Sequence, residues 1–357
     1  MPKCAYNYHW ILGGRNRKSV ALDLLDGAAY EVLLKLVEAA DIFITNYQPH
    51  VQRRLRLEYK DLEAVNPRLI YASLTGYGET GEDADQPGYD ATAYWARSGL
   101  MACIHNEGAD PALPPTGFGD HPTSMTLVAA ILLALYQRQT TGRGAKVATT
   151  LVANGVWSNA CITQAVLCQA EFPERRSRKN AHSPLVNHYA TRDGKRILLC
   201  LINPAADWKK LCDALGRQDL FNDPRFDSPQ ARYLNNVALI EILDQEFGAR
   251  DFDDCAATLK RHDLVFAAAP SPIDVVTDAQ LEREGLFPEI APGLKTIRNP
   301  IRVANTEHET PQMPPEVGEH TAEILRSAGY STEQIAEMNA RGCAYSAPGP
   351  DRVMQGN

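Results

Sequence analysis

The sequence predicts an α/β protein, a Rossmann-like large domain carrying a smaller α+β domain. Three observations predict it. Short β-type and helical segments alternate over residues 20–78 with short connections, which implies a parallel sheet covered by helices. A long apolar segment, Ser124 to Tyr136, follows a glycine-flanked aspartate in Gly117-Phe118-Gly119-Asp120. A polar, charged stretch at 172–183 then separates this region from a segment that opens as strand, turn and strand.

Asn16-Arg17-Lys18 is a basic loop that feeds a short alternating strand ending at Leu24, and Asp26-Gly27 turns the chain. Tyr30, Leu33, Leu34 and Val37 predict an amphipathic helix over 28–39. Ile42 to Thr45 reads as a buried strand ending at Asn46-Tyr47-Gln48-Pro49. Residues 50–64 read as one helix bearing Arg53, Arg54 and Arg56, and Asn66-Pro67 stops it. Leu69 to Leu74 is the next strand, closed by Thr75-Gly76-Tyr77-Gly78. Parallel sheets bind ligands outside the carboxyl ends of their strands, where Asn46-Tyr47 and Gly76-Tyr77-Gly78 fall. No G-x-G-x-x-G follows a strand and no P-loop motif occurs, so no motif supports a dinucleotide or P-loop nucleotide.

Residues 79–90 are acidic and turn-rich, and a helix follows over Ala91 to Leu100, then a proline-rich loop over 105–116. In the next stretch Thr123 or Ser124 can cap a helix whose first turn holds Pro122. Leu127, Ile131 and Leu135 fall at four-residue spacing with apolar residues between them, which predicts a helix buried on most sides. It ends near Gln139, with Gly142 as a left-handed cap. Asp120 then stands just before the helix, where free N–H groups and the dipole stabilise its anion by about 0.3–1 kcal/mol. The glycines leave room for a ligand beside the backbone. Local pattern alone reads Asp120 as a cap at a turn.

Ala145 to Leu151 is a strand and 152–170 is helical and apolar. Beyond the charged break, 188–202 reads as strand, turn and strand, with helices at Trp208 to Leu215, 233–248, 252–263 and 279–286. Residues 295–303 read as a strand, and two short helices follow within 319–341. The domain expectation is therefore 1–180 for the first part of the large domain, 181–292 for the small domain and 293–345 for a return to the large one. Residues 346–357 carry no pattern and read as a disordered tail.

The 357 residues are 44% apolar and carry a net charge of -8, which argues against non-specific nucleic-acid binding. The longest apolar run, Leu127 to Tyr136, is too short to span a membrane. Eight scattered cysteines form no C-x-x-C pair or zinc spacing, so no metal site or disulfide framework is expected, and the cytoplasm suits them.

Taken together, the motifs resemble the class III coenzyme A transferases, the family of formyl-CoA transferase, carnitine CoA-transferase and the α-methylacyl-CoA racemases. They are the stretch Asn16 to Leu24, Ala40 to Pro49, Asn66 to Gly78, Pro87 to Asp90 and Gly119-Asp120. Thr141 to Gly144, Asp223 to Phe226 and Gly318 to Thr321 complete the set, in order. The resemblance implies a CoA-transferase whose substrates are an acyl-CoA and a small carboxylic acid, with no permanently bound cofactor. It implies an interlocked homodimer. It makes Asp120 the nucleophile, forming first a mixed anhydride with the acyl group and then an aspartyl-CoA thioester. Asn46 and Tyr47 match CoA-contacting residues, Arg54 matches a residue beside the CoA phosphates, and Asp90 matches an acid near the reacting carboxylate. Gly117, Gly119 and the helix-start N–H groups would supply the setting for an oxyanion. Arg54 also reads as part of a solvated helix face, and Asp90 as a helix cap.

Tyr89 separates two chemistries, because the racemases resemble this region but carry histidine there. Tyrosine, with a pKa near ~10, is a poor proton shuttle at neutral pH. His121 is adjacent to Asp120 but need not face the same way. The family begins with a further strand–helix–strand segment before its Asn-Arg-Lys-Ser motif, whereas here Met1 stands almost at that motif. The glycine-rich flap of formyl-CoA transferases has no counterpart in 160–190. An acyl-CoA racemase or epimerase, and a non-catalytic truncated CoA-binding subunit, stand as the alternatives.

Overall fold

The structure is a computed structural model that describes residues 3–306 and 309–347. Of the tail expected at 346–357, residues 348–357 lie outside the described residues. The chain forms two compact α/β units. Of the described residues, one comprises those up to Ile104, Pro111–Ala170 and those from Pro288; the other comprises His105–Asp110 and Glu171–Phe287.

The first unit is built on a parallel sheet of Ile42–Thr45, Ile70–Thr75 and Ala145–Thr150, in that order. Ile42 pairs with Ile70 and Ile70 with Ala145, so all three strands end at one edge. The helix Gly27–Ala39 starts on Asp26, whose side chain accepts from the N–H groups of Ala28 and Ala29. Asn66 ends the following connection, and its amide donates to the carbonyls of Val37 and Ala40 at 3.0 and 2.8 Å. The helix Asp120–Thr141 packs Leu127, Ile131 and Ala134 on Ile70 and Ala72 of the sheet. Each large apolar side chain so buried contributes about 1.5–3 kcal/mol. Arg138 fixes its far end, donating to the carbonyl of Arg68 at 2.9 Å and to Asp41 at 2.8 Å. Gly142 follows with φ of 71°, the left-handed cap that the glycine predicted.

Several elements differ from the sequence expectation, each for a local reason. The helix expected over 50–64 is two, Pro49–Leu55 and Tyr59–Glu63, because Arg56 takes a left-handed φ of 56° and stacks on Tyr30. The strand expected before Leu24 is only Ala21–Leu22. It pairs antiparallel with Ala344–Tyr345, outside the parallel sheet. A helix at Tyr8–Gly14 precedes it, unmarked by any apolar period. Asp90–Ala96 is a π-helix rather than the start of one helix to Leu100, and Gly99 at φ 86° separates it from Leu100–Cys103. Of 295–303 only Lys295 is strand, as the end of Leu294–Lys295, which pairs with Glu289–Ala291; Asn299-Pro300 cannot continue a ladder.

The central helix also corrects two expectations. It begins at Asp120, with Gly119 as its cap, because the turn at Gly117 (φ 81°) brings the chain into helix early. Thr123 and Ser124 are therefore inside it, donating their hydroxyls to the carbonyls of Gly119 and His121. It is not buried on most sides. Leu132, Leu133 and Tyr136 are exposed, the last two at 71%.

The second unit holds an antiparallel sheet of Val186–Ala190, Arg196–Cys200 and Phe266–Ala268. Helices Pro204–Leu215 and Asn236–Gly248 cover it around Tyr189, Leu199, Trp208 and Phe247. Tyr189 and Phe247 stack at 5.1 Å, and Arg178 donates to Asp244 at 2.7 Å. Among the described residues, no helix is long and apolar enough to cross a membrane.

Gly144 tests the packing of the first unit. Its N–H donates to the Pro67 carbonyl at 2.8 Å, and a Cβ there would meet the Arg68 carbonyl carbon at 2.6 Å. Gly144→Ala is expected to lower unfolding free energy by about 1–3 kcal/mol in urea melts, since backbone cannot retreat as a side chain can. An unchanged midpoint contradicts that packing.

Candidate active site

The three parallel strands deliver the site. Asn46 and Tyr47 follow the first strand, Gly76 the second, and Leu151 the third. Together with Gln48, Thr75, Gly88, Tyr89, Asp90 and Asp120 they line a cavity of about 550 Å³. Gly76 and Gly88 touch through their backbones, so that a Cβ on Gly76 would lie 2.6 Å from the Gly88 Cα. This contact holds the segment bearing Tyr89 and Asp90 against the end of the second strand.

Asp120 reaches the cavity because the turn before it is pinned. The Gly119 N–H donates to Asp90 Oδ1 at 2.9 Å. A Cβ on Gly119 would press into the Tyr94 ring and lie 2.6 Å from the same oxygen. Phe118 meets the edges of Tyr94 and Trp95 at 6.5 and 5.4 Å. Tyr94 is held in turn by Ser158, 2.7 Å from its hydroxyl. Thr126 donates to Asn154 at 2.6 Å, and Asn154 donates to Thr149 at 2.8 Å, which ties the helix to the end of the third strand.

The Asp120 carboxylate has no hydrogen-bond or ion-pair partner among the described residues. It is solvent-accessible at the cavity wall. Surrounding protein nevertheless withdraws enough water to raise its pKa above the ordinary aspartate value; the Asp90 charge adds to the rise and His121 partly offsets it. Asp90 Oδ2 is buried without a partner, while its other oxygen is fixed by Gly119.

The structure thus brings Asn46, Tyr47, Tyr89, Asp90 and Asp120 to one cavity, with Gly119 directly behind. Tyr89 is 70% exposed at its mouth. Arg54 does not line it; it is exposed on the helix Pro49–Leu55, whose Val51 does. Arg53 pairs with Asp85 at 2.9 Å and Arg56 covers Tyr30, which leaves Arg54 as the guanidinium of the three without such a partner among the described residues. The Gly119 N–H is committed to Asp90, so it is not the oxyanion donor that the sequence suggested. His121 turns away: its ring lies over Gly117, and it lines a different cavity. Val51, Gln86 and Leu151 were not singled out by the sequence, although Leu151 directly follows the third strand and the strand-end rule would have found it.

A cleft at the carboxyl edge of a parallel sheet, with the Asp120 carboxylate at a helix start on its wall, stands where α/β folds bind their ligands. The sequence model of CoA-transferase family III matches residues 5–321, and the chain belongs to that family. It is 31% identical over 324 residues to the (R)-2-hydroxy-4-methylpentanoate CoA-transferase of Clostridioides difficile, covering 90% of this chain and 81% of that one. It is 29% identical over 326 residues to the mouse (Mus musculus) succinyl-CoA:glutarate CoA-transferase, covering 89% of this chain and 73% of the relative. A CaiB/BaiF family crystal structure from Brucella suis superposes with a TM-score of 0.80 at 26% identity, over 90% of this chain and 84% of that one.

The raised pKa of Asp120 has a consequence for stability. A carboxyl whose pKa rises on folding holds its proton more tightly in the native state, so its ionisation disfavours that state. The penalty is present above the raised pKa and absent below the ordinary value of about 3.9. Asp120→Asn is therefore expected to melt at a higher temperature than the parent at neutral pH, with the gap closing as pH falls through the raised pKa toward the ordinary value. Thermal scans across pH check it; curves that coincide at neutral pH contradict it.

Proposed function

We propose that the protein moves CoA from an acyl-CoA thioester to a carboxylic acid through covalent intermediates on Asp120. The observation that carries this reading is the Asp120 carboxylate on the wall of its cavity, partly desolvated and without a hydrogen-bond or ion-pair partner among the described residues. A carboxylate oxygen attacks the thioester carbonyl, and CoA thiolate leaves. The thiolate then attacks the Asp120 carbonyl of the mixed anhydride and releases the donor acid, leaving an aspartyl-CoA thioester. The acceptor carboxylate attacks that carbonyl, and CoA returns to the new acyl group as Asp120 is freed. No net proton moves, so the site needs no acid–base pair. That fits a cavity lined by tyrosines and carboxylates in which His121 takes no part.

The first, large unit is the CoA-binding one on this reading, with Asn46 and Tyr47 along the CoA arm and the free guanidinium of Arg54 at its phosphates. Asp90 positions the Gly119 turn. The exposed apolar face of the central helix, with Trp157 and Leu167 nearby in sequence, supports a homodimer. Eight free cysteines suit the reducing cytoplasm. The activities of the two relatives point to small organic acids as donor and acceptor.

Asp120→Ala is expected to lose CoA exchange between acyl-CoA and acid while keeping its circular-dichroism spectrum; retention of the parent rate contradicts the assignment. Gly119→Ala is expected to lose about 100-fold in rate, because the new methyl displaces the turn that aims Asp120. A parent-like rate would show that the turn does not aim it. Racemisation is tested separately by deuterium entry at the acyl α-carbon without an acceptor acid, and none is expected.

A further inference from the structure

A second cavity, of about 640 Å³, lies within the same unit at the first turns of the central helix. Asp120 lines the first cavity; His121, Ser124 and Met125 line this one. Three guanidinium-bearing side chains, Arg15, Arg17 and Arg298, share its wall, and no carboxylate does. Arg15 is fixed, donating to Thr296 Oγ1 at 2.8 Å and to the Ile297 carbonyl at 2.5 Å. Arg17 and Arg298 make no hydrogen bond or ion pair among the described residues. Glu309 lies in the hollow beside it, which Arg15 and Arg298 also border, where it accepts from Asn16 at 3.4 Å. One carboxylate outside the wall leaves three cations facing a common space.

Structural cations ordinarily find carboxylates or carbonyls, as Lys18 does with Glu323 and Arg138 with Asp41. Two guanidiniums left unused on one wall repel each other until an anion joins them, and a planar fork on each suits an oxyanion. The remaining wall is apolar, with Leu12, Met125 and Ile297, and the space far exceeds an inorganic ion. We infer that this cavity binds an organic carboxylate with an apolar body, its oxygens on Arg17 and Arg298 and its body against Met125 and Ile297. The site is separate from that of Asp120 and does not depend on the role proposed for that residue.

The test measures binding of phenylpropionate, phenylpropanol and inorganic phosphate to the full chain by calorimetry. Phenylpropionate is expected to bind, and to bind at least about tenfold more tightly than the alcohol or the phosphate. The double variant Arg17→Ser/Arg298→Ser is expected to weaken it by at least about tenfold, Arg17→Lys/Arg298→Lys to restore most of the loss, and Asp120→Asn to leave it unchanged. Binding of the alcohol as tightly as the acid overturns the inference, as does a double-serine variant that binds like the parent. Phosphate binding as tightly as the acid overturns the apolar-body assignment and points to a phosphate group instead. Loss of binding in Asp120→Asn overturns the separate site, placing the acid in the first cavity. The three-ligand comparison on the parent protein remains decisive where the double-serine variant does not fold.

Discussion

One close contact organises the first unit around its carboxylate: Gly119 lies so tightly against Tyr94 and Asp90 that no side chain fits between them. The contact sets where the helix Asp120–Thr141 begins, and therefore where its first side chain points. A helix start is ordinarily capped by a hydroxyl or carboxylate just ahead of it. Here the cap is a glycine without a side chain, and the carboxylate has moved one position inward, into the cavity. Asp90 then supplies the hydrogen bond that the turn needs, from another element. One aspartate does structural work and leaves the other free.

The cost of this arrangement is electrostatic. Partial withdrawal from water, and after it the nearby Asp90 charge, oppose the ionisation of Asp120 and raise its pKa. On the proposed reading the same opposition favours reaction, because attack on a thioester spreads the charge over a larger adduct. The sheet supplies the rigid edge against which this happens. Three strands end together, the Gly76–Gly88 contact clamps the approach of Tyr89 and Asp90, and Asn154 ties the helix to the third strand.

Much of this was legible in the chain. The parallel strands at 42–45, 70–75 and 145–150 are short β-rich runs between turn residues, and their ends predicted the cavity through the strand-end rule. Gly142 announced the end of the central helix, as a glycine in that place should. The beginning was misread because the turn at Gly117 and the contact of Gly119 with Tyr94 are tertiary facts without local signature. Burial of the central helix was misread for a related reason. Apolar residues occupy its whole circumference, but one chain covers only the Leu127–Ile131 face. The neighbours of Arg54 and the aim of His121 were likewise invisible, since side-chain direction depends on packing that spacing does not encode.

The most direct test of the central claim follows one oxygen atom. In the proposed route the acceptor carboxylate joins the Asp120 carbonyl through one of its own oxygens. When CoA then takes the acyl group, that oxygen stays on Asp120. An acceptor acid labelled with heavy oxygen, incubated with acyl-CoA and the enzyme, should therefore leave label in the peptide containing Asp120, as mass analysis of the digested protein would show. Turnover to the new acyl-CoA without label in that side chain would contradict the covalent route and the role given to Asp120.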